Sequence, residues 1–142
     1  MDTRCIGRFL AVLLLASAAP VAAESPLVVI VHPSRDGSLT RAEVASIFLK
    51  KNRFWEDGEA IVPVNRQPTS SERERFSKEL LGGDSSHVAA YWNEQYFAGT
   101  FPPAVLSSAD AVKTYVAGHR NAIGYIEASA VDASVRVVLR IE

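Results

Sequence analysis

The stretch Val64-Asn65-Arg66-Gln67-Pro68-Thr69-Ser70-Ser71-Glu72-Arg73 brings together residue types suited to holding an anion. A short apolar run ends, an arginine follows, and a hydroxyl-rich turn opens a helix. The first turn of a helix exposes unpaired N–H groups and the positive end of the helix dipole, and an anion is stabilised there. Arg66 adds a planar, two-pronged donor. Thr69, Ser70 and Ser71 add hydroxyl donors. Two readings of this stretch stand side by side: an anion site built from Arg66, Thr69, Ser70 and Ser71, or an ordinary capped helix beside a surface arginine.

Other chemistries have less to work with. His32, His87 and His119 are far apart and lack the spacing of a metal site. His119-Arg120-Asn121 is expected at the surface, with a position on the same cleft as Arg66 as the sharper alternative. No G-x-S-x-G elbow occurs, and no acid, base and nucleophile are brought together by spacing. The expectation is a protein that is not an enzyme and uses no metal or cofactor. Tyr91, Trp92, Tyr96 and Phe97 read as core and rim rather than a ligand box, and any exposed part of that cluster could form an interface.

The elements that must position these residues alternate in type. Leu27–Val31 is a continuous β-branched run, the pattern of a fully buried strand. Thr40 and Glu43 form a capping box ahead of Val44, Ile47 and Phe48 at helical spacing, so a helix ends near Lys50. Ile61–Val64 is a second short strand, with Pro63 placing it at an edge or a terminus. A second helix starts near Ser70 or Ser71, with Ser71 and Glu74 as its expected capping box, Phe76 and Leu80 on its buried face, and Gly82-Gly83 after it. Asp84 caps a third helix in which Val88, Tyr91, Trp92 and Gln95 share a face. Phe101-Pro102-Pro103 reads as a linker. Ser107 or Ser108 caps a fourth helix carrying Val112, Tyr115 and Val116. Ala122–Ile126 is a strand, and Val135, Val137, Leu139 and Ile141 alternate as in a half-buried one. Strands mixed with helices predict an α/β fold, a small mixed sheet flanked by helices.

The chain has 142 residues. Its N-terminus has Arg4 and Arg8, an apolar run from Phe9 to Ala19, then Pro20 and the small residues Val21-Ala22-Ala23. This is the pattern of a secretory signal, with an apolar run shorter than the roughly 20 residues that span a bilayer. Residues 1–23 are the expected signal peptide and 24–142 the mature domain, one domain by length. The lone cysteine, Cys5, lies in the signal, so the mature part has no disulfide or thiol chemistry. Cleavage leaves 13 basic and 15 acidic side chains. No basic run marks a nucleic-acid partner, and no second apolar run of membrane length follows. The expected location is the periplasm.

Several segments, in order, resemble the phosphate-type binding proteins of ABC transporters. Leu39 to Leu49 is similar to that family's "L-s-x-x-e-l-x-x-I-F-x-G". Trp55 to Gly58 with Ile61 to Arg66 is similar to "W-x-D-x-x-x-I-x-x-V-x-R". Phe76 falls on the family's helix phenylalanine, and Ala122 to Ile126 resembles "G-A-I-G-Y". The resemblance implies one lobe of a type II periplasmic binding protein, holding a small oxyanion such as phosphate for a transporter or sensor. The family's arginine and Ser-Gly-Thr helix start fall on Arg66, Ser70, Ser71 and Glu72. Here Ser71 stands for glycine, Glu72 for a hydroxyl donor, and Pro68 for an often acidic or polar residue. The second lobe, with its donors, has no counterpart. A membrane permease, a sensor or a second copy of the chain are the implied partners. The alternative is an accessory interaction module that kept the lobe and lost the ligand.

Overall fold

A computed structural model describes residues 16–20 and 25–142. The expected signal and its boundary at Ala23 fall largely outside the described residues. Among the described residues, five strands and four helices follow in the order β1 (Leu27–Val31), α1 (Arg41–Phe48), β2 (Val62–Arg66), α2 (Ser71–Leu80), α3 (Ser85–Phe97), β3 (Ala104–Leu106), α4 (Ala109–Gly118), β4 (Ala122–Glu127) and β5 (Arg136–Ile141), with one 3-10 turn at Ala128–Ala130. They form one mixed sheet in the order β3-β2-β4-β1-β5. β2 runs parallel to both β3 and β4, while β1 is antiparallel to β4 and β5.

β1 sits near the middle and is buried over all five residues. Its alternating side chains serve two faces. Leu27, Val29 and Val31 pack with Val44, Ile47, Phe48 and Phe76 of α1 and α2. Val28 and Ile30 pack with Val112 and Val116 of α4. The sheet is therefore covered on both sides, and α3 lies outside it against α2. Close approach of α4 to β4 depends on Gly124. A Cβ there would lie 2.6 Å from Val112 Cγ1 and 3.0 Å from Val64 Cγ2.

Local signals and structure agree at α1, where Thr40 accepts from the Glu43 amide and Glu43 accepts from the Thr40 amide. They part elsewhere. The cap of α2 is Ser70, whose hydroxyl accepts from the Arg73 amide. The expected box of Ser71 with Glu74 does not form, because Glu74 instead accepts from the Ser85 hydroxyl. Pro63 marks a terminus and not an edge: it pairs with Ile123, and β3 joins β2 only from Val64 onward. Residues 104–106, beyond the expected linker, form the edge strand β3.

The alternation read in the last strand slips. Val135, Val138 and Ile141 are buried, whereas Val137 is 40 % exposed. The cause is an irregularity opposite Val29 and Ile30, where Val29 pairs with Leu139 and Ile30 with Val137, so that Val138 is an extra residue. An extra residue shifts every later side chain to the other face.

Candidate functional site

β2 delivers Arg66 to the end of the sheet where α2 begins. Behind it stands an aromatic stack: Phe76 and Tyr125 lie parallel with centroids 3.9 Å apart, and Phe48 meets Phe76 edge-on at 4.7 Å. The Tyr125 hydroxyl donates to Asn65 Oδ1. The Arg66 amide donates to Asn65 Oδ1 at 2.9 Å and is 3.4 Å from the Tyr125 oxygen. Burial pushes the Tyr125 phenol well above its ordinary value, so it remains a neutral donor. Arg73 Nη1 donates to the Arg66 carbonyl at 3.0 Å. The backbone that carries Arg66 is thus held from the core and from α2.

The Arg66 guanidinium is less completely satisfied. Its side chain is only 10 % exposed, and the Glu72 carboxylate lies 3.9 Å from Nη2. Among the described residues, Nε and Nη1 are buried with no hydrogen-bond partner. A buried donor in that condition carries a desolvation penalty of about 1–3 kcal/mol, and more when charged.

The turn places the other expected site residues unequally. The Ser70 hydroxyl is engaged, donating to the Gln67 carbonyl at 2.9 Å while capping α2. Thr69 and Ser71 are exposed. Of the first amides of α2, those of Arg73 and Glu74 are satisfied by the Ser70 side chain and carbonyl. Glu72 lies inward, facing Arg66.

Sequence reasoning passed over Glu127, at the end of β4. Glu72 is held below the ordinary carboxylate range by its own backbone amide first and by a hydrogen bond with Glu127 second. Glu127 is raised, chiefly by that same bond and then by burial and the Glu72 charge. Of the two hydrogen-bonded carboxyls, Glu127 therefore holds a proton more tightly than Glu72. Arg75 adds positive charge to both and donates to the Ser25 carbonyl at 3.1 Å. No local spacing brings Glu127 to Glu72; β2–β4 pairing does.

His119 is not part of this group. It follows α4 at the opposite end of the sheet, where its Nδ1 lies 2.7 Å from the Tyr115 carbonyl and its ring stacks on Tyr115. A cleft of about 390 Å³ opens at that far end beside Arg35, Trp55, Asp57 and Arg120. Despite its volume it is the poorer anion site. Its cations already face carboxylates: Arg35 meets Asp57 and Glu59 at 3.3 and 2.9 Å, and Arg120 lies 3.5 Å from each of the same two.

A family model for the PBP superfamily domain matches residues 19–138. The chain belongs to that family. Solved structures carry the same PBP fold. A protein of Clostridium perfringens, classed as a phosphate ABC transporter substrate-binding protein and solved with bound phosphate, is 26 % identical, with a TM-score of 0.68 over 82 % of this chain and 45 % of its own. An ABC-type phosphate transport receptor from Vibrio cholerae is 22 % identical with a TM-score of 0.66, over 82 % and 46 %. PstS from Borrelia burgdorferi is 17 % identical with a TM-score of 0.61, over 82 % and 47 %. This PBP domain therefore spans a little under half the length of those chains. A comparison with curated protein sequences finds no match. Among the described residues no helix is long and apolar enough to cross a membrane.

Proposed function

We propose that this PBP domain, exported to the periplasm, binds a small tetrahedral oxyanion of the phosphate class at the start of α2, on behalf of a membrane permease or sensor. The observation that carries the reading is the buried Arg66 guanidinium with Nε and Nη1 unpartnered. An oxyanion offers the paired acceptors that such a fork lacks. Arg66 is its main charge partner, Ser71 and Thr69 lend exposed donors, and Ser70 holds the turn in shape. Entry requires the Glu72 side chain to move off Arg66. A single lobe leaves the anion partly hydrated, so the expected dissociation constant is on the order of a millimolar. The bound phosphate of the Clostridium relative supports the ligand class.

A second reading has one observation in its favour. Glu72 already occupies the Arg66 Nη2 side at 3.9 Å, as an interaction module without a ligand would have it. Titration calorimetry with phosphate and sulfate separates the two. Oxyanion heats that vanish in Arg66→Ala support the site; no heat at 10-millimolar-scale ligand (roughly tenfold above the expected constant) together with unchanged melting supports the module.

A further inference from the structure

The far end of β2 from Arg66 carries a second surface that the anion site does not use. Phe97, the last residue of α3, is 89 % exposed, and Tyr96, Phe101 and Phe54 are each more than half exposed. Three of these rings form one cluster: Tyr96 meets Phe97 edge-on at 6.0 Å and Phe101 at 5.5 Å. The segment after α1 packs beside them. Arg53 Nη2 donates to Thr100 Oγ1 at 2.9 Å, the Tyr91 hydroxyl donates to the Leu49 carbonyl at 2.8 Å, and Lys51 Nζ lies 6.0 Å from the Tyr91 ring. Phe54 follows Arg53 directly.

The charge of this surface differs from that of the chain. Residues 49–54 contain Lys50, Lys51 and Arg53 and no acid, and residues 95–108 contain no acid either. Glu94 is the one carboxylate on the last two turns of α3. The whole chain has a formal net charge of −1, so the cations are concentrated here against the average. Burial first, and the Arg53 charge second, hold the Lys50 ammonium below its ordinary value; the cations are close enough to repel one another, which an opposite charge would relieve.

We propose that this face, with Phe97, Tyr96 and Phe101 as its apolar tip and Lys50, Lys51 and Arg53 as its basic shoulder, docks the domain on an anionic membrane surface. Aromatic rings sit at the headgroup level of a bilayer while flanking cations meet lipid phosphates. An apolar core would have buried Phe97; nothing in the fold does. An acidic protein partner would meet the cations equally well, but Phe97, Tyr96 and Phe101 stand outside the cleft of about 210 Å³ beside Lys50, Arg53 and Phe54, as rings entering a soft interface would. The surface is distinct from a spanning segment. It also lies toward the start of β2, whereas Arg66 ends that strand, four residue steps or about 13 Å further on, so docking would leave the start of α2 open to solution.

The test uses the full chain with vesicles of phosphatidylcholine alone and of phosphatidylcholine with phosphatidylglycerol. Co-sedimentation gives the partition, and amide hydrogen exchange gives the place. The expected result is stronger partition onto anionic vesicles, slowed exchange in residues 50–54 and 96–104, and weakening by high salt. The variant K51E/F97S, both positions being at the surface, should lower the partition about tenfold or more with melting unchanged. Three results would overturn the proposal. One is protection confined to residues before 25 with the variant binding as well as wild type. Another is equal partition onto neutral vesicles. The third is protection of the same amides by an acidic protein but not by anionic vesicles.

Discussion

Two arginines of this domain are equally buried and oppositely used. Arg35 and Arg66 have side chains 11 % and 10 % exposed. At one end of the sheet Arg35 donates to the Arg120 carbonyl, Asp57, Glu59 and Asn121 Oδ1, and lies 4.3 Å over the Trp55 ring. At the other end Arg66 has the Glu72 carboxylate at 3.9 Å and two unpartnered nitrogens. Burial is expensive for a cation unless it is paired and hydrogen-bonded. Arg35 meets that condition within the fold and serves as a structural clamp. Arg66 does not: two of its donors have no partner among the described residues. The comparison teaches that burial alone does not separate an arginine satisfied by the fold from one that is not; the partners of its donors do.

The largest expected effect falls on stability at the Arg35 end. Arg35→Ala leaves Asp57 and Glu59 without their main cation and bares Trp55, and should cost about 2–3 kcal/mol, tempered by the partial exposure of both carboxylates. Chemical denaturation of that variant should show the loss, and oxyanion affinity per folded molecule should be unchanged. Arg66→Ala should do the reverse. It removes a poorly satisfied buried charge but also the cation that faces Glu72; the two effects offset, so stability should change by less than about 1 kcal/mol, while oxyanion binding is lost. If both variants lower stability alike, the two arginines are not different in kind.

Tyr125→Phe is the next effect in size. It removes the donor that holds Asn65 and lies beside the Arg66 amide, while keeping the stack on Phe76. A cost of about 1–2 kcal/mol is expected, together with weaker oxyanion binding, because the end of β2 is released. Full retention of affinity would show that this support is not needed.

The smallest effects are in pH, and the two ends have opposite signs. Asp57 is lowered by the Glu59 amide first, and also by Arg35 and Arg120. A lowered carboxyl contributes stability that is present above its unfolded value near 3.8 and lost as pH falls through the folded value. Glu127 is raised above 4.5. As pH rises through its folded value it loses its proton and adds a second negative charge beside Glu72. Sulfate, which does not titrate in this window, should therefore bind more weakly as pH rises there, by roughly fivefold for about 1 kcal/mol of partly screened repulsion. Glu127→Gln should flatten that dependence. A sulfate affinity indifferent to pH in wild type would remove Glu127 from the site.

The legibility of these features in the sequence follows their range. β1 was readable because five β-branched or leucine side chains need burial on both faces wherever they lie. The box at Thr40 and Glu43 was readable because it closes over three residues. The strand-to-helix turn that places Arg66 four residues before the Ser70 cap was readable for the same reason. What failed depended on pairing. Val138 replaced Val137 in the core because of an irregularity opposite β1, more than a hundred residues away. β3 was hidden by its three-residue length and the two prolines ahead of it. Glu127 and the Asn65–Tyr125 bond join positions about 55 to 60 apart, and nothing in either neighbourhood announces the other. The inward turn of Glu72 follows from helix phase, since Glu72 lies one turn before Phe76 and two before Leu80 on the buried face of α2.

The central claim is that Arg66 is held ready for an oxyanion while Arg35 is consumed by the fold. Calorimetric titration of phosphate and sulfate into wild type, Arg66→Ala and Arg35→Ala at mildly acidic pH tests it most directly. The account predicts saturable heat in wild type, no heat in Arg66→Ala at unchanged melting temperature, and wild-type affinity in whatever fraction of Arg35→Ala is folded. Absence of heat in all three, or equal heat in wild type and Arg66→Ala, would contradict it.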